Sequence, residues 1–372
     1  MHNECLSVEA IRSEYARLAK LPDSAAVGLP PAAYGSDEVF DLEVARIFER
    51  EWVPLGRVEE VAEPGDYFTT EIAGDPLLVV RGDDGEVRVL SNVCRHKWTE
   101  VAEGSGNARV FVCPYHAWTY ARDGQLVGAR FMERTVGFNI ESCRLPKLNS
   151  EIWGGFVFVN LDANAVPLRT KLAALEPIVG NYHMQDMRRF TGDDEIWGTN
   201  WKLLVENFTE GYHTFQTHKD SLQNVTPAEL TYWGHDNDAF SAFYSPLAAD
   251  EPAREPYHAD LSERERRTVL MVCLYPSLVI ALSPERVFYM CIIPVSAGTV
   301  RTRWGVASYG EDFENHTLEH IAKFYKMVND EDQVRLESIQ RGVKARYAGR
   351  GRLSWLETTN AHFGRYVARM LA

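Results

Sequence analysis

Four potential metal ligands in two short loops constrain the fold of this chain more than any other feature. Cys94 and His96 form one C-x-H pair. After sixteen intervening residues, a C-x-x-H pair follows at Cys113 and His116. Thiolates and imidazoles are the donors that bind zinc or a two-iron, two-sulfur cluster. Both loops lie in turn-rich segments of a region with β-type patterns, so the chain must fold back to bring them together.

The way the ligands are distributed favours a cluster over zinc. Zinc sites usually pair ligands of one type, as in C-x-x-C and H-x-H. Here each loop carries one ligand of each type, so each loop can contact both irons of a cluster that has two cysteines on one iron and two histidines on the other. A zinc-stapled binding protein without redox activity is the alternative, and two unrelated Cys/His pairs are a second.

Strand-like and helix-like patterns divide the chain into regions. Six β-rich runs predict a small β-sandwich, at residues 66–71, 76–81, 86–90, 110–113, 117–121 and 155–160. Past a boundary near residues 162–167, strand-like runs at residues 241–308 stand between helical patterns at residues 168–180, 201–218, 314–343 and 355–371. We therefore expect an α+β chain, with a helical segment at residues 1–50, a β-sandwich domain at residues 51–165 and a larger domain at residues 166–372.

Three stretches resemble the α subunits of Rieske non-haem iron oxygenases. They are NVCRHK at residues 92–97, CPYHAWTYARDGQL at residues 113–126 and WGGFVFVNLD at residues 153–162. Ala117, where the family usually has Gly, and Lys97, where it often has Arg, depart from the pattern, but neither is a ligand. The resemblance implies that the β-sandwich is a Rieske domain with a [2Fe-2S] cluster on the four ligands above. It also implies a catalytic domain with a central antiparallel sheet flanked by helices, on which the N-terminal segment packs.

Two histidines in NWKLLVENFTEGYHTFQTH, residues 200–218, are candidate ligands of a second metal. His213 and His218 are five residues apart, and on a regular α-helix such positions diverge by about 140°, too far to share a ligand face. The pair can act together only if the helix predicted over residues 201–218 has a π-type bulge or ends between them. Two unrelated histidines on a helix are the alternative.

The resemblance supplies a third ligand, which the residues alone do not single out among 53 acidic residues. NDEDQVRLESIQRG, residues 329–342, is similar to the family's third-ligand helix, with Asp332 in the ligand position and Glu331 as the fallback. Two histidines and one carboxylate would hold a mononuclear Fe(II) and leave open positions for O₂.

Glu210, Asn207 and Tyr212 are further candidate functional residues beside the histidines. In the family an acidic residue at the position of Glu210 hydrogen-bonds a Rieske histidine of one subunit and an iron-binding histidine of the next, which fixes both rings. Because it has glutamate at this position, the chain resembles the branch of the family that oxidises quaternary ammonium compounds such as choline, glycine betaine and carnitine. Asn207 and Tyr212 flank the site, although an aromatic residue beside a ligand is more often simple packing.

The resemblance implies an oxidoreductase that uses O₂ together with a reductase. The chain has no nucleotide-binding fingerprint, so electrons from NAD(P)H must arrive through a separate reductase, with or without a ferredoxin. Head-to-tail trimers in the family bring the cluster of one chain beside the iron of the next, and we therefore expect a cyclic homotrimer.

Two substrate classes remain open at this point. The first is a small quaternary ammonium or N-methyl compound, hydroxylated or oxidatively N-demethylated and held by an aromatic cage. The second is an aromatic ring or aromatic acid, hydroxylated or demethylated, with an arginine as the partner of its anion. Aromatic candidates for the pocket are Trp233, Phe240, Phe243, Tyr244, Tyr275 and Tyr289, and arginine candidates are Arg286, Arg301 and Arg303.

Charge and hydropathy exclude several other classes. A net charge of −14 argues against nucleic acid, whose phosphates are bound by basic surfaces. The N-terminus lacks the apolar core of a signal peptide, and the most apolar stretch, residues 270–282, is interrupted by Pro276 and shorter than the ~20 residues of a membrane span. The six cysteines are therefore not expected to form a disulfide framework. We expect a cytoplasmic protein that binds neither nucleic acid nor membrane.

Overall fold

The structure is a computed structural model that describes residues 7–252, 254–310 and 315–372. Cys5 and the helix start expected at Glu314 lie outside these residues. The chain divides into two compact units, a smaller one of Glu49–Ala165 and a larger one that combines Met1–Phe48 with Val166–Ala372. None of the described helices is long and apolar enough to cross a lipid bilayer.

Ten strands form three antiparallel sheets in the smaller unit. They are β1 (Val53–Arg57), β2 (Asp66–Ile72), β3 (Asp75–Arg81), β4 (Val87–Ser91), β5 (Ser105–Asn107), β6 (Phe111–Val112), β7 (Thr119–Tyr120), β8 (Leu126–Gly128), β9 (Asn149–Trp153) and β10 (Phe156–Asn160). The sheets have the orders β4-β3-β2-β5, β1-β10-β9 and β6-β7-β8. Every β-rich run identified in the sequence of this unit overlaps one of these strands.

Short turns make the pairing of neighbouring strands possible. β2 and β3 pair in register from Ile72 opposite Asp75, so only Ala73 and Gly74 lie in the turn. Both have positive φ, 54° and 80°, as a type I′ turn requires, and this turn matches the right-handed twist of a hairpin.

The core of the smaller unit lies directly against the two ligand loops. Leu78 of β3, Phe111 of β6 and Tyr120 of β7 are buried in one cluster with Cys94 and Cys113. The two cysteines are thus fixed by the packing of the sheets, and the loops that carry them have little freedom to separate.

A seven-stranded antiparallel sheet forms the centre of the larger unit. Its strands are β11 (Arg188–Trp197), β12 (Tyr232–Asp236), β13 (Phe240–Pro246), β14 (Thr268–Leu274), β15 (Leu278–Leu282), β16 (Arg286–Ser296) and β17 (Thr299–Ser308). The order is β11-β17-β16-β15-β14-β13-β12. The apolar stretch at residues 270–282 supplies most of β14 and all of β15, two buried strands joined around Pro276.

Within the part of the chain that the structure describes, eight α-helices surround this sheet. They are α1 (Val8–Leu18), α2 (Asp37–Glu43), α3 (Leu168–Lys171), α4 (Glu176–Val179), α5 (Trp201–Phe208), α6 (Thr214–Thr217), α7 (Asn315–Gly342) and α8 (Thr358–Leu371), and a π-helical turn at Val44–Phe48 follows α2. α1 packs on α8, α8 packs on β13, and α7 packs on β11 and α5. The predicted α+β class, with helices flanking an antiparallel sheet, is confirmed.

Two predicted helices are broken in the structure. The pattern at residues 168–180 forms the two short helices α3 and α4. The helix expected over residues 201–218 ends at Phe208 and gives way to a turn at residues 209–213, after which α6 makes a single turn. The prediction of one continuous helix over residues 201–218 was wrong. The amphipathic spacing of the side chains continues across residues 209–213, but the helical backbone ends at Phe208.

A buried ion pair anchors the start of α5. Nζ of Lys202 lies 2.7 Å from Oε1 of Glu43, and neither side chain is accessible to solvent. Nε1 of Trp201 donates a 2.7 Å hydrogen bond to the other oxygen of Glu43. Burial raises the pKa of Glu43, while Lys202 and Trp201 oppose the rise. The ammonium group of Lys202 also lies over the rings of Tyr34 and Trp201, 5.5 and 5.4 Å from their centroids. The position of α5 therefore depends on a buried charge that Glu43 contacts directly.

We expect Glu43→Ala to destabilise the protein by about 3–5 kcal/mol, because it leaves the ammonium group of Lys202 buried without a counter-charge. The midpoint of urea unfolding measures the loss. The double variant Glu43→Leu with Lys202→Met is the matched control, since it removes both charges and keeps apolar volume, and most of the stability is expected to return. An equal loss in single and double variants would contradict this role of the charge.

Candidate metal centres

The two ligand loops of the smaller unit have the same backbone pattern. The residue four positions after each cysteine donates its N–H to the carbonyl of that cysteine, Trp98 to Cys94 at 3.1 Å and Ala117 to Cys113 at 3.0 Å. Both donors have positive φ, 61° for Trp98 and 57° for Ala117. The chain thus closes two matching turns, each with a cysteine at its start.

The positive φ of Ala117 explains why glycine is usual at this position in the family. A residue with a Cβ atom adopts the left-handed region at a cost of about 1–2 kcal/mol, which glycine avoids. Alanine keeps the same turn here, and its N–H still bonds to Cys113. The departure from the family pattern therefore changes local strain and leaves the ligand geometry in place.

The four side chains of these loops fit a cluster with an inner and an outer iron. Cys94 and Cys113 are buried free thiols, whereas His116 is exposed and His96 is half-buried. The two imidazole rings lie 4.7 Å apart between centroids. Nδ1 of His96 is buried and makes no hydrogen bond to the described residues, as a nitrogen reserved for a metal would be.

Neighbouring groups orient these donors. The ring of His96 stacks on Trp118 at 4.9 Å, with 7° between the planes, and the hydroxyl of Tyr120 lies 3.3 Å from Sγ of Cys94. Burial raises the pKa of the Cys113 thiol, and backbone N–H groups of Tyr115 and His116 oppose the rise. Such N–H groups favour a thiolate, the form of cysteine that binds metal.

In the larger unit, His213, His218 and Asp332 come together as a possible metal site. Nε2 of His218 lies 3.1 Å and Nε2 of His213 lies 3.7 Å from Oδ1 of Asp332, and the three candidate ligand atoms all lie within 4.8 Å of one another. Nε2 of His218 and Oδ1 of Asp332 are buried without a hydrogen bond of acceptable geometry among the described residues. This donor set is the one that ferrous iron takes with open positions left for O₂.

The turn after α5 solves the spacing problem of the two histidines. His213 and His218 flank the single turn of α6 instead of sharing a longer helix. The sequence allowed either a bulge or a helix end between them, but α5 ends before both histidines. Gly211 is needed in this turn, because a Cβ atom there would lie 2.9 Å from Oγ1 of Thr231. Asp332 reaches the same point from the middle of α7.

Each histidine is held by a carboxylate on its other ring nitrogen. Oε1 of Glu210 lies 2.7 Å from Nδ1 of His213, and Oε2 of Glu331 lies 2.7 Å from Nδ1 of His218. Ser221 donates a 2.8 Å hydrogen bond to the same oxygen of Glu331. Carboxylates in this position fix the tautomer and direct Nε2 toward a metal. Glu331, the fallback ligand, thus supports His218, a role that its place beside Asp332 did not reveal.

Protonation of His213 competes with metal binding. Burial disfavours the charged ring, but Glu210 and Asp332 outweigh it and raise the pKa of His213 to about 9. Burial also opposes the charge of Asp332, yet the neighbouring imidazoles of His218 and His213 hold the pKa of Asp332 below its usual value. A metal must displace the proton of His213, so its binding weakens as the pH falls below about 9.

A pocket of about 120 Å³ opens beside this site. Its acidic lining residues are Glu210 and Asp332, and Arg254 is the one lysine or arginine among the described residues that line it. Aromatic rings form much of its wall, from Phe208, Phe243, Phe288, Phe324 and Tyr325.

The structure brings only some of the predicted pocket residues to this cavity. Asn207 lines it and helps to hold Asp332 ionised, whereas Tyr212 is 44% exposed and packs against Phe215. Of the six aromatic candidates, Phe243 alone is among the described lining residues. The arginine candidates pair elsewhere, Arg286 with Glu285 and both Arg301 and Arg303 with Asp194.

Comparison with known proteins agrees with this arrangement. Residues 51–145 match the family described as Rieske [2Fe-2S] domain, and residues 181–372 match ring hydroxylating alpha subunit (catalytic domain). The carnitine monooxygenase oxygenase subunit of Acinetobacter pittii is 29% identical over 87% of either chain. The glycine betaine monooxygenase oxygenase subunit of Pseudomonas aeruginosa is 32% identical over 64% of this chain and 56% of its own.

A solved structure shows the same likeness. The quaternary ammonium Rieske monooxygenase CntA, crystallised with an inhibitor, superposes with a TM-score of 0.83 at 27% identity and covers 95% of this chain and 99% of its own. A β-rich unit with Cys/His loops and an α+β unit with a 2-His-1-carboxylate group define an iron-dependent oxygenase. The chain belongs to the ring-hydroxylating α subunits of the Rieske non-haem iron oxygenases, and the prediction of a [2Fe-2S] domain followed by a catalytic domain is confirmed.

Glu331→Gln is expected to weaken iron binding at His213, His218 and Asp332 by about 10–100-fold, because the amide no longer holds the tautomer of His218 as a carboxylate does. Back-titration of iron-depleted protein with Fe(II) measures the change, while the absorption of the cluster stays constant. Asp330→Asn is the matched control, since Asp330 is exposed and pairs with Lys326 on the same helix. Equal iron affinities in the two variants would count against the supporting role of Glu331.

Proposed function

We propose that this chain is the oxygenase component of an enzyme that hydroxylates or oxidatively N-demethylates a small quaternary ammonium or N-methyl compound. The observation that carries the proposal is the pocket beside His213, His218 and Asp332, which combines aromatic walls with two carboxylates. A quaternary ammonium group has no N–H to donate, so ring faces and nearby negative charge are what can hold it. The carnitine and glycine betaine monooxygenase subunits among the relatives support the same class.

The aromatic wall is continuous. Phe288 of β16 stacks on Phe208 of α5 at 5.8 Å and on Tyr325 of α7 at 5.0 Å. Three separate elements therefore contribute faces to one surface. A cation near this surface gains about 0.5–2 kcal/mol from each well-placed ring, more where water is excluded.

In this proposal the metal groups are held by the residues described above. Cys94, His96, Cys113 and His116 hold the [2Fe-2S] cluster. His213, His218 and Asp332 hold a mononuclear Fe(II). When bound, the cluster supplies single electrons and the iron supplies the activation of O₂.

Glu210 acts as a positioning residue with a second proposed contact. One of its oxygens lies 2.7 Å from His213, and backbone N–H groups of Tyr212 and His213 also point at its carboxylate. In a cyclic homotrimer this carboxylate would reach a Rieske histidine of the neighbouring subunit and so connect the two metal groups. Electrons would come from NAD(P)H through a separate reductase, with or without a ferredoxin.

A second candidate function is oxidation of an aromatic ring or aromatic acid. The observation that favours it is the apolar remainder of the pocket, which Leu222, Val225, Val269 and Met271 line. Flat hydrocarbon substrates fit such walls without any charged partner.

A single-turnover experiment separates the two candidates. Iron-loaded protein with a chemically reduced cluster is mixed with O₂ and either quaternary ammonium compounds or aromatic acids, and mass spectrometry identifies the products. We expect formaldehyde or a hydroxylated betaine from the first panel only. Products from the aromatic panel alone would overturn the proposed substrate class and leave the iron sites in place.

Arg254 is expected to select substrates that carry a carboxylate as well as the ammonium group. It lines the pocket, where its guanidinium group also pairs with Glu251 at 3.1 Å and with Glu285 at 3.5 Å. Hydrogen bonds to a charged group contribute about 1.5–3 kcal/mol, so Arg254→Gln should raise KM for betaine-type substrates by about tenfold to a hundredfold.

The control substrate for this test is choline, which has no carboxylate and whose KM should not change. Arg301→Gln is the control variant, because Arg301 pairs with Asp194 on β11 and does not line the pocket. Equal rises in KM for choline and for betaines would show that Arg254 supports the pocket wall and does not bind a carboxylate.

A further inference from the structure

A second group of two histidines and a carboxylate lies in the larger unit, apart from the proposed iron site. Nε2 of His183 lies 2.8 Å and Nδ1 of His258 lies 3.5 Å from Oδ2 of Asp260, and one ligand atom from each residue lies within 4.8 Å of the others. We propose that these three residues bind a divalent first-row transition metal ion, for which Zn²⁺ is the probe.

The separations suit a metal of this kind. Bonds of about 2.0–2.1 Å in a tetrahedral zinc site place neighbouring ligand atoms about 3.3 Å apart. The two measured contacts to Asp260, 2.8 and 3.5 Å, lie on either side of this value. Two imidazoles and one carboxylate are donors that zinc, nickel and copper ions accept.

The local backbone holds His183 in an unusual conformation. Its φ of 42° and ψ of 45° lie in the left-handed region, which costs a residue with a Cβ atom about 1–2 kcal/mol. This conformation joins two short 3₁₀ turns before β11 and directs the ring at the segment between β13 and β14, where His258 and Asp260 lie. Oδ2 of Asp186 lies 3.9 Å from the other nitrogen of the ring, Nδ1, which is beyond hydrogen-bond distance.

A simple ion pair between His183 and Asp260 does not account for the second imidazole. The ring of His258 lies 3.7 Å from that of His183 between centroids, so both imidazoles lie beside the same carboxylate. One metal ion bound to both nitrogens and the carboxylate accounts for the positions of all three side chains. The backbone N–H of Asp260 makes a long, 3.3 Å hydrogen bond to Nδ1 of His258, which a metal bond at that nitrogen replaces.

The site is open to ions and joins distant parts of the chain. The side chains of His183 and His258 are 30% and 34% exposed, and that of Asp260 is 57% exposed. A metal here would tie the segment that carries His258 and Asp260 to the turn before β11, which carries His183. Because the folded state alone has this geometry, bound metal should raise the unfolding temperature as its concentration rises.

Equilibrium dialysis of the iron-loaded holoenzyme against micromolar Zn²⁺ tests the proposal, with zinc and iron counted in the same samples. We expect one zinc per chain in addition to the full iron content, and an upward shift in unfolding temperature. The double variant His183→Asn with Asp260→Asn should lose this zinc and the shift. Asparagine is suitable at position 183 because it tolerates the left-handed region. The single variant His258→Gln should weaken zinc binding by more than about tenfold. Loss of a group that only hydrogen-bonds a metal ligand already costs about that much, and His258 is a ligand itself in this proposal.

His320→Gln is the matched control, because His320 is an exposed histidine on α7 and its loss should change neither zinc content nor unfolding temperature. Iron content and cluster absorption of each variant show that it is folded. Zinc that displaces an equal amount of iron, zinc that is retained by both ligand variants, or no zinc uptake by the unaltered protein would each overturn the proposal.

Discussion

The candidate iron site of the larger unit depends on two hydrogen bonds, each on the far side of one imidazole ring. Glu210 holds Nδ1 of His213 and Glu331 holds Nδ1 of His218, each at 2.7 Å. These contacts leave Nε2 of both rings directed at Asp332, whose Oδ1 has no other hydrogen bond among the described residues. A loose imidazole would rotate away or take the wrong tautomer, and the three donors would no longer converge. The carboxylates thus turn three side chains from distant parts of the sequence into one site.

Spacing alone predicted that a regular helix could not carry both histidines, but it could not locate the break. The end of α5 at Phe208 is set by tertiary contacts. Oγ1 of Thr209 lies 2.7 Å from Oδ1 of Asn360, and Gly211 passes so close to Thr231 that no side chain fits. Partners 20 and more residues away do not appear in a local pattern. By contrast, six of the ten strands of the smaller unit were predicted, since these strands alternate with turns whose residues reveal them, whereas β1, β5, β8 and β9 were not.

The Cys/His loops could be predicted from the sequence, whereas the pocket could not. The four Cys and His ligands stand in two short motifs, so their chemistry can be read from the sequence. The pocket wall combines Phe208, Phe288 and Tyr325 from a helix, a strand and another helix, and no sequence spacing links them. Arginines were equally hard to rank. Arg286 pairs with Glu285 beside it and does not line the cavity. Arg254, which the sequence did not single out, lines the cavity although it also pairs with Glu251 and Glu285.

The order of residues along α7 gives the pocket a direction. Tyr325, Val328, Asn329 and Asp332 all line it, and their spacing places them on one face of the helix. Tyr325 and Asp332 are seven residues, or about 10 Å, apart along the helix axis. The two histidines meet Asp332 at one end of this face, and Arg254 lines the same pocket. In the proposed function, a substrate that carries both an ammonium and a carboxylate group would place its N-methyl groups toward Asp332 and its carboxylate toward Arg254.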